Sequence, residues 1–265
     1  MIARALASTS MICPTPIPAA TLRFLGLPRL ERGQTEWPIG DPKIVCLLFL
    51  LAIVKSPSRD WIASVLWADL DQSRRLANLR NTLHRLKQQR LEDLLTISDT
   101  EIGLATGVQT DIDVVVSEHP MPLEIAVNAA NTRLLNGNHC EDVPYLNARI
   151  RQISQHYKSK SINTIHQEVK RLREKGRLSQ CIMLTRRILL ISPYNEAALR
   201  NLMLLYAENG DRASALNIYQ DFKGMLRSHQ GIDPETRTAQ LHLSLLQKTI
   251  AESQIDFMGS ADTVI

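Results

Sequence analysis

Short apolar runs open the chain and longer helical stripes follow. Leu22-Arg23-Phe24-Leu25-Gly26-Leu27 and Arg29-Leu30-Glu31 predict short strands. Arg32-Gly33-Gln34 predicts a turn, and Thr35-Glu36-Trp37-Pro38-Ile39 a third strand. After Pro42 the spacing becomes helical: Val45, Leu48, Phe49, Ala52 and Ile53 form a stripe, which Leu47, Leu50 and Leu51 widen toward full burial. Ser56-Pro57-Ser58 breaks that helix. Ser58 is the expected N-cap of a short helix from Arg59 to Trp67, with Asp60 in its first turn and Ile62, Val65 and Leu66 facing inward. A third helix, Ser73 to Arg90, carries Leu76, Leu79, Leu83 and Leu86 as one seam. Leu94-Leu95-Thr96-Ile97, a turn at Ser98-Asp99-Thr100, and Glu101-Ile102-Gly103-Leu104-Ala105 then predict a hairpin.

The rest of the chain reads as helical, with a repeat. Gly176 and Gly210 are 34 residues apart, which is the tetratricopeptide period. In that register Leu199, Leu202, Tyr206, Gly210-Asp211, Ala215 and Tyr219 take the bulky, bulky, tyrosine, Gly-Asp, small and aromatic positions. One repeat earlier Cys181 takes the small position and Pro193 the closing proline, while Met203 stands where the pattern has glycine. Helices are predicted at 162–175, 178–191, 195–208, 212–228 and 234–251, with weaker ones at 123–135 and 144–157. The fold class is therefore mainly α: an α+β winged helix-turn-helix followed by an all-α tetratricopeptide-like domain. The expected divisions are a disordered leader at 1–20, a winged helix at 21–108, the helical domain at 109–252 and a tail at 253–265.

Composition adds little until it is localised. Net charge is only +4 over 265 residues, no evidence by itself for a nucleic-acid partner. The segment 72–90 alone, however, holds six basic residues, Arg74, Arg75, Arg80, Arg85, Lys87 and Arg90, and no Asp or Glu. From Asp111 onward 18 basic residues face 17 acidic ones, so the excess belongs to the third helix. Its polar face carries Arg74, Asn78, Asn81, Arg85 and Gln88, with Thr82 and His84 flanking. Arginine, asparagine and glutamine read base edges through paired hydrogen bonds, and arginine and lysine hold phosphates. In a winged helix the third helix enters the major groove. Asn78, Asn81, Thr82, His84 and Arg85 are thus expected nearest the bases, and Arg74, Arg75, Arg80 and Lys87 at phosphates.

These stretches also carry a family resemblance. Ser58-Arg59-Asp60 with Leu66-Trp67, and Ala77-Asn78-Leu79-Arg80 running into Leu83-His84-Arg85-Leu86-Lys87, resemble the OmpR/PhoB-type winged helix of Streptomyces antibiotic regulatory proteins. The string from Gly176 to Thr238, beginning Gly-Arg-Leu-Ser-Gln-Cys, resembles the bacterial transcriptional activator domain that follows it in that family. The order Asp111-Ile112-Asp113-Val114, a helical block, then the repeat matches too. The resemblance covers about 20 to 250. It implies a recognition helix at 73–90, DNA contacts at Thr82, His84 and Arg85, and Thr100 at the wing tip. It further implies an activator on double-stranded DNA, oligomerisation, and contact with RNA polymerase. The wing departs from the family's Gly-rich tip, since Asp99 and Glu101 put two carboxylates there.

Other chemistry finds no footing in the sequence. None of the P-loop, dinucleotide-binding, nucleophile-elbow or H-E-x-x-H patterns occurs, so no enzyme and no cofactor are expected. His139-Cys140-Glu141-Asp142 is the densest group of ligand types, lacks a second pair, and predicts no metal. The longest uncharged apolar run, Ile44–Val54, has eleven residues against the roughly 20 a bilayer needs, so no membrane is expected and the location is cytoplasmic. Cys13, Cys46, Cys140 and Cys181 are far apart in sequence. That spacing argues against a disulfide framework and for a reducing compartment, with Cys46 and Cys181 as small core residues. The expected function is a sequence-specific transcriptional regulator. The alternative is a non-catalytic adaptor in which the repeat binds a partner and the winged helix is degenerate; the acid-free stripe 72–90 separates the two.

Overall fold

Asp41 sets the start of the first long helix in the computed structural model, which describes residues 20–136, 140 and 142–247. One oxygen of Asp41 accepts the backbone N–H groups of Lys43 and Ile44, and Pro42 supplies the pre-set first φ, so α1 runs Pro42–Ile53. Every residue from Ile44 to Ala52 is buried, as the unbroken apolar run predicts. Ser58 caps α2 (Arg59–Leu66) through the N–H of Trp61, as expected. Asp71 caps α3 (Gln72–Gln88).

The contacts divide the chain into two units, Met1–Val114 with Leu134–Arg151, and Val115–Arg133 with Gln152–Ile265. In the first, β1 (Ala20–Arg23), β2 (Arg29–Arg32) and β3 (Thr35–Pro38) form an antiparallel meander, and β6 (Gln109–Thr110) joins β1 in parallel. β4 (Leu95–Ile97) and β5 (Ile102–Leu104) pair as the expected hairpin. The first strand was expected to reach Leu27 and ends at Arg23. The N–H groups of Phe24 and Leu25 turn instead to the carboxylate of Asp111, and Gly26 at φ 93° bends the chain. Asp111 opens α4 (Asp111–Val116), whose start is closed by Thr110 and Asp113, each side chain accepting the other's backbone N–H.

The segment from Leu134 returns to this unit. Leu135 donates its N–H to the Phe24 carbonyl and Asn136 to that of Gly26. Cys140 forms a disulfide with Cys46 of α1, with Cα atoms 5.8 Å apart. This corrects the sequence expectation: 94 residues of separation say nothing of distance once the chain returns. It also removes the cysteine argument for a reducing compartment. Of the ligand-type group at 139–142, His139 and Glu141 lie outside the described residues, Cys140 is in the disulfide, and Asp142 pairs with Lys43.

In the second unit α5 (Leu123–Asn128) is shorter than predicted. The helices expected at 144–157 and 162–175 are one, α6 (Pro144–Glu174), of which the residues to Arg151 belong to the first unit and those from Gln152 to the second. No breaker separates them, and the polar residues between are used: Ser161 is buried against the Met121 sulfur, and Lys160 donates to the carbonyls of Val115 and Ser117. α7 (Leu178–Ile191), α8 (Glu196–Glu208) and α9 (Arg212–Gln230) follow. Helix continues over 236–247, and the rest of the stretch predicted to 251 lies outside the described residues. The repeat register is visible in the backbone. Arg177 donates to the Leu172 carbonyl around Gly176, and Asp211 to that of Tyr206 around Gly210, the same helix end 34 residues apart. Leu199, Leu202, Met203, Tyr206, Ala215, Tyr219 and Phe222 share one core. Cys181 of α7 is buried outside any disulfide, its thiol donating to the Val169 carbonyl and its pKa pushed up by burial.

α3 ends in the same way, since Leu91 donates to the Leu86 carbonyl, but Arg90 occupies the left-handed position at φ 57°. Gly176 and Gly210 hold that place elsewhere. Arg90→Gly is therefore expected to raise stability by about 0.5–1 kcal/mol. Urea unfolding followed by tryptophan fluorescence reads this unit alone, because Trp37, Trp61 and Trp67 all lie in it.

Candidate nucleic-acid interface

The buried side of α3 is Leu79, Thr82 and Leu86, each about 1% exposed, with Leu76 and Leu83 half-buried beside them. The four-leucine seam is thus rotated toward Thr82. A threonine can occupy a core position when its hydroxyl is satisfied, and here it accepts from Arg85 Nη2 at 3.3 Å. Arg85 Nη1 in turn meets the second oxygen of Asp41 at 2.9 Å. One carboxylate thus caps α1 and braces a side chain of α3. Thr82 was expected to touch DNA, and its burial takes it off the surface.

Residues turn about 100° around a helix axis, which places Arg74, Ala77, Asn81, His84 and Gln88 opposite the buried side. Arg74, Asn81, His84 and Gln88 are exposed, and Ala77, half-buried, leaves the centre of the face flat. His84 and Gln88 hydrogen-bond at 3.1 Å through their Nε2 atoms. Arg80 and Lys87 are exposed on one flank; Arg85 and the half-buried Asn78 lie on the other. Arg75 departs from expectation. It turns back to the Ala68 carbonyl, and its Nε is buried without a partner, so it fastens the turn before α3 and leaves the phosphate-facing set. Arg74 pairs with Asp71 at 3.3 Å, both exposed, a contact worth little in water. Asp71 itself is held below the usual carboxylate range, first by the Ser73 hydroxyl and then by the Arg74 N–H.

The wing is fixed to α2 and does not hang free. The Thr100 carbonyl accepts the Arg59 N–H, Ile102 donates to the Pro57 carbonyl, and Arg59 Nη1 reaches the Ser98 carbonyl at 3.2 Å. Thr100, Asp99 and Glu101 are all exposed at its tip, so two carboxylates face solvent where the resemblance places a DNA contact. Asp41 and Arg59 are the positioning residues that the sequence reading missed. Asp41-Pro42 before an apolar run is an N-cap signal, but its second role depends on a partner 44 residues away. Among the described residues no group of three or more His, Cys, Asp and Glu side chains is placed to hold a metal, and no helix is long and apolar enough to cross a membrane.

Comparison with known proteins agrees with this architecture. Residues 124–246 match the family model described as the bacterial transcriptional activator domain. EmbR of Mycobacterium tuberculosis, solved in complex with a low-affinity phosphopeptide, matches with a TM-score of 0.59 at 15% identity, over 91% of this chain and 71% of that one. At that identity the likeness is one of fold. No curated protein sequence matches the chain.

Proposed function

We propose, from the match of residues 124–246 to the bacterial transcriptional activator domain, that the chain is a transcription regulator that binds specific double-stranded DNA sites through α3 and activates transcription there. The observation that carries the reading is the outward face of α3. It gathers Arg74, Asn81, His84 and Gln88 around the small Ala77, flanked by Arg80, Lys87 and the braced Arg85, with no carboxylate anywhere in 72–90. Asn81, His84, Gln88 and Arg85 are assigned to base edges, and Arg74, Arg80 and Lys87 to phosphates. Asn78 is assigned to the groove wall beside Arg85. The acidic tip beside Thr100 lowers the contribution of the wing. The helical domain supplies oligomerisation on DNA and contact with RNA polymerase.

The test is recovery of sheared genomic DNA by the purified protein at two salt concentrations, followed by sequencing. A few discrete sites surviving the higher salt are expected, because base contacts release no counterions whereas phosphate contacts do. Uniform recovery that vanishes with salt would reduce α3 to a non-specific basic helix. No recovery at either salt would favour the adaptor reading.

A further inference from the structure

We propose that Cys46 and Cys140 are a reversible dithiol–disulfide couple, a modification site that fastens Cys140 and its neighbour Asp142 to α1 and releases them. Both sulfurs are buried, and the Cα atoms stand 5.8 Å apart, within the range a disulfide spans. The surroundings give this unit a core and tethers besides the bond. α1 is buried from Ile44 to Ala52, Leu135 and Asn136 are tied to the β1 end by backbone hydrogen bonds, and Trp61 packs edge-on against Tyr145 at 5.5 Å. A disulfide is indispensable where a domain lacks a core; here the core is complete and each thiol fits it as a small apolar group.

The two cysteines differ in access. Cys46 sits in the middle of a buried helix, whereas Cys140 lies outside regular structure, before α6. Reaching Cys140 breaks no helix hydrogen bonds, whereas reaching Cys46 does. Cys140 is therefore the entry point. Its thiolate attacks a low-molecular-weight disulfide, forming a mixed disulfide and releasing one thiol. The Cys46 thiolate then attacks the Cys140 sulfur and releases the second. Two electrons pass to the small disulfide, and the two protein protons end on the released thiols. The location gives the couple reach. Lys43, one turn before Cys46, pairs with Asp142 at 2.5 Å, and Asp41 at the same helix start braces Arg85 of α3. The Lys43–Asp142 pair that would remain when the bond is reduced is exposed at the carboxylate, and such pairs are weak.

Full-length protein is incubated with glutathione disulfide, quenched, denatured and assayed for thiols. The reduced chain has four cysteines, and the oxidised one should retain two, with a single linked peptide pair containing Cys46 and Cys140. Closing so long a loop should raise the melting midpoint by about 5–15 °C. Dithiothreitol added to the folded oxidised protein should restore four thiols and the lower midpoint. Cys140→Ala, which spares the buried helix, should keep all three of its thiols and show no oxidant-dependent shift. Four thiols after oxidation, a link to Cys13 or Cys181, or an unchanged midpoint would overturn the proposal. A bond that dithiothreitol reduces only after denaturation would also overturn it, leaving a permanent staple. None of these readouts depends on DNA binding.

Discussion

Asp111→Ala is expected to lower the stability of the first unit by about 2–4 kcal/mol, because it leaves two buried backbone donors without an acceptor. The Asp111 carboxylate takes the Phe24 N–H at 2.9 and 3.0 Å and the Leu25 N–H at 2.9 Å, and the residue is 3% exposed. Burial pushes this carboxyl above its ordinary pKa, and the two N–H groups, with Arg23 and Arg29, oppose the shift only in part. The pH dependence follows from the sign. Between the unfolded value near 3.8 and the raised folded value, the native state holds a proton that the unfolded chain has lost. Stability from this group is therefore greatest at or below the lower value and is lost as pH rises through the upper one. The wild-type minus Asp111→Ala difference, from urea unfolding read by tryptophan fluorescence, should be larger at pH 4 than at pH 7. A difference that shrinks toward pH 4 would mean that the hydrogen bonds outweigh burial.

Asp111 also shows where sequence reading stops. Its place after the wing is legible from the order of residues, but its role is not, since its partners are 86 and 87 residues away. The same division runs through the fold. Periodicity and capping are local, so α1, the Ser58 cap, the hairpin and the 34-residue repeat could all be read directly. Thr82 was misplaced because the seam was drawn through leucines alone. A hydroxyl joins a core once Arg85 satisfies it, and Arg85 is held by a carboxylate from another helix. Arg75 was assigned to phosphate by its charge, and its side chain closes a local turn. The disulfide was missed for the same reason as Asp41: both need the returning chain. The candidate site was thus legible as a helix and a face. The side chains that leave that face, and those that brace it, were not.

Removing the two flanking cations and removing one central amide should have different effects on DNA binding. Arg80 and Lys87 lie on the same side of α3, exposed, with no carboxylate in 72–90 to neutralise them. Replacing both with alanine should weaken binding to every sequence alike. It should also lower the salt slope, log K against log salt, by about 2, near 0.9 for each lost phosphate contact. Asn81 sits near the middle of the outward face and is exposed, placed to pair with an adenine edge. Asn81→Ala should cost about 1–3 kcal/mol on a recovered specific site, leave random DNA unaffected, and leave the salt slope unchanged. Neither change touches Leu79, Thr82 or Leu86, so both proteins should melt as the wild type does. Fluorescence anisotropy on one recovered site and one scrambled fragment, at four salt concentrations, measures all of these quantities. If the double variant lost affinity only on the specific site, Arg80 and Lys87 would move to base edges, and the groove-facing side of α3 would have to be turned toward them. If Asn81→Ala weakened both fragments equally, the helix would lie across the backbone, and the sequence reader would have to be sought elsewhere in the unit.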